Sequence, residues 1–120
     1  MSATWDLKER TKEFSLRIIQ ITKKLPDTRA NSVLSNQILR SATSVGANYR
    51  AARTARSEKE FVAKLQIALE EADESQYWAE LLIDVNRNQA DELSVVLKEA
   101  RELAAILVSA LKTARGKMRH

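Results

Sequence analysis

The residue types that most often carry chemistry are sparse in this 120-residue chain. It has no cysteine and one histidine, His120, which is its last residue. Glu71 and Glu74 would share one face of a helix and offer two carboxylates to a cation. A ferritin-like metal site also requires Glu-x-x-His pairs, which the sequence lacks. We therefore predict no catalytic residue, no metal and no cofactor, and we expect a protein that is not an enzyme.

Basic residues are the second group that could do chemistry, because guanidinium and ammonium groups bind phosphate. The segment Thr28–Ser57 contains five arginines and no acid, whereas Glu58–Asn86 contains eight acids and two basic residues. Cations at the end of the first segment and near the C-terminus are therefore candidates for binding nucleic acid. These six residues are Arg50, Arg53, Arg56, Arg115, Lys117 and Arg119.

A structural role is the alternative for the arginines. Those of the second helix could pair with an acidic run, within one chain or between chains. This run comprises Glu70, Glu71, Asp73 and Glu74. The C-terminal cations have no acid near them in the sequence, which favours phosphate contact for them. Strong dependence of RNA binding on salt would distinguish the two hypotheses.

Apolar residues recur at steps of three and four through four segments, which predicts four α-helices. We expect helices over residues 5–25, 28–55, 57–86 and 89–115, then a basic tail at 116–120, all in one domain. Pro26 should end the first helix and Gly116 the last. Short connections force neighbouring helices to run antiparallel. The predicted fold class is therefore all-α, an antiparallel up-down-up-down four-helix bundle.

Small residues surround Gly46 in the second helix. A glycine inside a helix costs about 1 kcal/mol relative to alanine, so Gly46 predicts that another helix packs closely between Ser41 and Ala47. Asn48 lies at the edge of this stripe, and we expect its amide to be buried and bonded to a neighbouring helix. In the fourth helix the predicted core residues are Leu93, Val96, Leu97, Ala100, Ala104, Leu107, Val108 and Leu111.

Several apolar residues point away from the predicted core faces. They are Trp5, Leu16, Ile19, Ile67, Trp78, Val95 and Ile106. Large apolar patches are rare on monomers, so this set favours self-association. Ile67, Trp78, Val95 and Ile106 are the predicted oligomer interface.

The segment Leu39–Leu82 closely resembles a bacterial four-helix-bundle family first noticed as proteins encoded by intervening sequences in 23S ribosomal RNA genes. The family pattern begins with an apolar-Arg-Ser block, continues through an arginine-rich helix end and closes with a Glu-Ala-x-Glu run that leads to a tryptophan. We assign to this motif and to helix packing Arg40, Ser41, Ser44, Gly46, Asn48, Lys64, Glu71, Glu74 and Trp78.

The resemblance implies a ring-like homo-oligomer, a pentamer with a central channel. It also implies kinship with the accessory variability determinant of diversity-generating retroelements, a basic pentamer that works with a reverse transcriptase and nucleic acid. Two functions follow as expectations. One is a non-enzymatic oligomer that binds RNA or DNA, and the other is a protein-interaction scaffold or accessory subunit, for example to a reverse transcriptase.

Composition limits the partners and the cellular location that we expect for the chain. The net charge is +4, which permits a polyanionic partner without demanding one. The first ten residues are charged and lack the apolar core of a secretory signal. No apolar run approaches the roughly 18 residues needed to cross a bilayer. We expect a cytoplasmic protein with no membrane partner.

Overall fold

The computed structural model describes residues 7–118. They form four α-helices, α1 (Leu7–Lys24), α2 (Arg29–Arg53), α3 (Glu58–Val85) and α4 (Ala90–Met118), with a 3₁₀ turn at Arg87–Gln89. The described range contains no strand, so the prediction of an all-α protein with four helices is confirmed. Trp5, Arg119 and His120 lie outside the described residues.

Side-chain caps fix where two of the helices begin. The Thr28 hydroxyl accepts a hydrogen bond from the Asn31 amide at 3.1 Å, at the start of α2. The Ser57 hydroxyl accepts one from the Glu60 amide at 3.1 Å, at the start of α3. Each cap satisfies one of the amides that a helix leaves unpaired at its N-terminus. The connections are short, so consecutive helices run antiparallel.

Packing places the helices in the order α1, α2, α3, α4 around the bundle, and α4 also contacts α1. The largest fully buried side chains include Phe14, Ile18, Ile38, Leu65, Leu82, Leu93, Leu103, Leu107 and Leu111. Small residues lie between α2 and α3, where the hydroxyls of Ser41 and Ser75 are 2.8 Å apart and fully buried. This pair satisfies both hydroxyls where the two helices approach closely.

Gly46 faces α1. A Cβ atom placed on Gly46 would lie 3.1 Å from Oγ1 and 3.3 Å from Cβ of Thr11. Thr11 is itself buried, and its hydroxyl donates to the Leu7 carbonyl at 2.6 Å. A side chain larger than hydrogen at position 46 would therefore require Thr11 or the α1 backbone to shift.

Two expectations about α4 are wrong. Leu103 is fully buried although it is not among the predicted core residues, and Val108 is 39% exposed although it is one of them. Four large apolar residues follow one another closely here, namely Leu103, Ile106, Leu107 and Val108. Their spacing alone therefore does not show which of them face the core. Gly116 does not end α4, which continues to Met118. No residue of the described range has the positive φ that a glycine cap uses.

None of the helices between residues 7 and 118 is long and apolar enough to cross a membrane.

Candidate nucleic-acid interface

The two groups of candidate cations lie at the same end of the bundle. One group occupies the last turn of α2 and the connection to α3, and the other occupies the last turns of α4. The first part of α3 packs beside the last part of α4, where Arg115 Nη2 donates to Gln66 Oε1 at 2.6 Å. We call this the basic end, defined by Arg50, Arg53, Arg56, Arg115 and Lys117.

Arg50 and Arg53 are exposed at the C-terminus of α2. Arg53 Nη1 donates to the Tyr49 hydroxyl at 3.2 Å, and this hydrogen bond raises the pKa of Arg53 above its ordinary value. Neither guanidinium forms an ion pair with a carboxylate of residues 7–118. Both are therefore accessible to an external phosphate.

The other members of the basic end are equally accessible. The Arg56 side chain is 90% exposed, and its Nε lies 3.8 Å from a Glu60 oxygen, beyond hydrogen-bonding distance. An exposed pair of this kind contributes about 0–1 kcal/mol, so it does not commit Arg56 to Glu60. Arg115 and Lys117 are exposed, and within residues 7–118 neither has a carboxylate partner.

Arg40 differs from these cations because α3 carboxylates hold it. Its Nη1 lies 3.3 and 3.2 Å from the two Glu71 oxygens, and its Nη2 donates to Glu74. Glu74 also accepts a hydrogen bond from Trp78 Nε1 at 2.9 Å. Pairing between the arginines of α2 and the acidic run is thus formed by Arg40, whereas Arg50 and Arg53 lie too far along α2 to take part.

The same contacts involve the two carboxylates that the sequence offered to a cation. Glu71 and Glu74 face the guanidinium of Arg40, which supplies their positive partner. Between residues 7 and 118 no group of three or more histidine, cysteine, aspartate or glutamate side chains is arranged to hold a metal ion.

Arg10 is a second arginine held by carboxylates, and it is not among the residues predicted from the sequence. Its Nε donates to Glu99 at 2.8 Å, and its Nη2 donates to Glu99 at 2.9 Å and to Glu102 at 2.8 Å. The Glu99 hydrogen bond is the main reason that the pKa of Arg10 is raised. This cluster joins α1 to α4, and no local pattern signals it, because its members lie at opposite ends of the chain.

Asn48 does not bond a neighbouring helix, contrary to expectation. Its Nδ2 donates to the carbonyl and to the hydroxyl of Ser44, both at 2.9 Å and both within α2. The side chain is half-buried. An asparagine in a helix can reach back four residues to its own backbone, so Asn48 needs no partner across the interface.

The predicted oligomer interface falls on two sides of the bundle. Ile67, 37% exposed, lies one turn before Glu71 and so on the α2 side of α3. Val95, 49% exposed, lies one turn before Glu99 and so on the α1 side of α4. Trp78 and Ile106 are half-buried on these same sides and also pack against the core. We call the two surfaces the α3 patch (Ile67, Trp78) and the α4 patch (Val95, Ile106).

The fold and the surface define a class of protein: an all-α four-helix bundle with a cluster of exposed cations at one end. The sequence model of the family described as 23S rRNA-intervening sequence protein matches residues 4–109. The chain belongs to this family, and the resemblance seen in the segment Leu39–Leu82 is confirmed.

A solved structure supports this assignment. It is the crystal structure of a protein of unknown function from the S23 ribosomal protein family of Bacteroides thetaiotaomicron. It is 40% identical to this chain, covers 88% of this chain and 97% of its own, and superposes with a TM-score of 0.80. No curated protein is significantly similar in sequence.

Proposed function

We propose that this chain is a non-enzymatic, oligomeric four-helix-bundle protein that binds the backbone of RNA or DNA through its basic end. One observation carries the proposal. Arg50, Arg53, Arg115 and Lys117 are exposed at one end of the bundle, whereas Arg10 and Arg40 are held by glutamates elsewhere. The family's connection with 23S rRNA genes supports a nucleic-acid partner.

The chemistry of the basic end favours the phosphate backbone over the bases. Arginine and lysine neutralise phosphates and release condensed counterions, a contribution that does not depend on sequence. The C-terminal carbonyls of α2 and α4 stabilise cations in the last turn of each helix. Affinity should therefore fall steeply with salt and vary little between sequences.

Oligomerisation is the second part of the proposal. The α3 patch and the α4 patch lie on different sides of the bundle, so contact between them is heterologous, and such contacts form closed rings when the rotation between subunits allows it. A homopentamer of the 13.6 kDa chain has a mass of about 68 kDa. A ring repeats the basic end once per subunit, and multivalency then raises the affinity for a long polyanion.

A protein-interaction scaffold, or an accessory subunit to an enzyme such as a reverse transcriptase, is the alternative. Its support is the Arg40 cluster, in which an arginine of the family motif binds carboxylates of its own chain. On this alternative the basic end only keeps the protein soluble.

Fluorescence anisotropy with a labelled single-stranded RNA and a labelled duplex DNA distinguishes nucleic-acid binding from the scaffold alternative. Binding at about 50 mM salt that weakens by orders of magnitude at about 200 mM supports the proposal. Failure to bind either probe at about 50 mM salt, where electrostatic contacts are strongest, supports the scaffold. Light scattering coupled to size exclusion measures the mass of the assembly, and a monomer at micromolar concentration would contradict the ring.

A further inference from the structure

A groove of about 370 Å³ opens at the basic end, between the first turn of α3 and the last turns of α4. Its lining residues are Glu58, Phe61, Ala110, Thr113, Ala114 and Lys117. Phe61 and Ala110 are half-buried and also pack against the core, so the floor of the groove is apolar and continuous with the interior. An apolar groove with a few polar groups at its edge is the usual form of a small-ligand site.

The polar groups around this groove carry complementary chemistry. Lys117 lines the groove, whereas Arg115, two residues earlier on α4, donates to Gln66 of α3 and does not line it. The Thr113 hydroxyl donates to the Ser109 carbonyl at 3.2 Å, which leaves its oxygen able to accept a hydrogen bond. The Glu58 carboxylate has no cationic partner within residues 7–118. The groove therefore combines an aromatic ring, two acceptors and one cation, Lys117.

A nucleotide presents the matching groups. Its base has an apolar face that stacks on aromatic side chains and N–H groups that donate hydrogen bonds at the edge, and its phosphate is anionic. We propose that the groove takes one unstacked base of a single-stranded nucleic acid against Phe61, while Lys117 binds the adjoining phosphate. This inference rests on the proposed function and names its partner more closely as single-stranded nucleic acid.

The groove is not visible as a binding feature in the sequence. Phe61 follows the charged residues Glu58, Lys59 and Glu60, and no aromatic residue lies between Arg50 and Arg56. Only the packing of α3 against the end of α4 brings an aromatic ring next to Lys117. A duplex keeps its bases stacked inside, so it can use the cations of the basic end but cannot fill the groove.

The test compares a labelled oligothymidylate with an abasic strand of the same length, which carries the same phosphates and no bases. Anisotropy should show that the wild-type protein binds the thymidylate at least about fivefold more tightly, the low end for one base stacked on an aromatic ring. Phe61→Leu keeps an apolar side chain against the core and should reduce this preference towards one. Ala110→Leu should do the same by filling the groove. Tyr77→Leu, which removes an exposed aromatic elsewhere on α3, is the matched control and should leave the preference unchanged.

The outcomes separate this inference from the proposed function. Equal binding of the two strands by the wild-type protein, with strong salt dependence, would overturn the inference and leave the proposed function intact. Absence of binding to both strands would overturn both. A preference that survives in Phe61→Leu and Ala110→Leu, or is lost in Tyr77→Leu, would place the base elsewhere and overturn the inference. Circular dichroism melting confirms that each variant is folded.

Discussion

Asn31 and Asn86 form a reciprocal pair of amide hydrogen bonds inside the bundle. Asn31 Nδ2 lies 2.9 Å from Asn86 Oδ1, and Asn86 Nδ2 lies 2.7 Å from Asn31 Oδ1. Each amide also donates to a backbone carbonyl at 2.9 Å, that of Pro26 or Leu82. The two side chains are 5% and 4% exposed. The pair joins the start of α2 to the end of α3, at the opposite end of the bundle from the basic end.

Asn86→Ala should lower the free energy of unfolding by about 1–3 kcal/mol, because it leaves the Asn31 amide buried without its partner. Chemical denaturation followed by circular dichroism measures the change. Asn88→Ala, an exposed site in the following turn, is the matched control and should change stability by less than about 0.5 kcal/mol. Equal losses in the two variants would show that the amide pair contributes nothing specific.

Glu99→Gln should destabilise the protein by about 1 kcal/mol or more, because it removes the charge that binds the partly buried Arg10. Glu92→Gln breaks the exposed Lys24–Glu92 pair, 3.3 Å long, and should cost less than about 0.5 kcal/mol. The pKa of Arg10 is raised in the folded protein, so the stability from this pair is present at neutral pH and, on the alkaline side, is lost as the pH rises through the pKa of the guanidinium. Urea denaturation should therefore show the same difference between the two variants at neutral and at mildly alkaline pH. A difference that disappears with a rise in pH would contradict this account.

The two glycines offer a paired test of helix packing. Gly46→Leu should cost about 1–3 kcal/mol, because its side chain would overlap Thr11 on α1. Gly116→Leu should be neutral or stabilising by up to about 1 kcal/mol, because α4 is helical there and a Cβ meets no atom within 4 Å. Thermal melts of both variants decide the point. A Gly46→Leu protein that melts like wild type would mean that α1 does not pack on Gly46.

The four helices were predictable because apolar spacing, Pro26 and the serine and threonine caps are local signals. Local signals also identified Gly46 as a site of close approach. They failed where one helix is apolar on several sides, as α4 is between Leu103 and Val108. In such a helix the buried face is set by which neighbours surround it, and that information lies elsewhere in the chain.

The candidate site also combines features that local sequence signals predict with features that they do not. The acid-free segment was enough to predict Arg50 and Arg53 as candidates. It could not predict that they lack a carboxylate partner, because that depends on where α3 begins relative to α2. The Arg10 and Glu99 pair and the groove beside Phe61 each join residues that are remote in sequence. Asn48 was misread because an asparagine can bond its own helix as readily as a neighbour.

Cations of the basic end should set the salt dependence of nucleic-acid binding. Removing three of them, in the combined variant Arg50→Gln, Arg53→Gln and Lys117→Gln, should flatten the slope of log K against log salt concentration by about 0.7 for each lost contact with a single strand. The matched control removes three exposed cations near the opposite end, in the combined variant Lys23→Gln, Arg29→Gln and Arg87→Gln. Anisotropy titrations at several salt concentrations measure both slopes. Equal flattening in the two triple variants would show that net charge matters and the basic end does not.

The two patches predict a mixing experiment that identifies a heterologous ring. Ile67→Glu should block the α3 patch and Val95→Glu the α4 patch, because each buries a charge without a partner in the contact, so each variant alone should be a monomer of 13.6 kDa. In an equimolar mixture, the intact α4 patch of the Ile67→Glu variant can still contact the intact α3 patch of the Val95→Glu variant. The mixture should therefore form a dimer of about 27 kDa by light scattering, but no ring. Val108→Glu, on another side of α4, is the control and should assemble like wild type. If like patches met instead, one variant alone would already dimerise, and a ring formed by either single variant would show that these patches are not the interface.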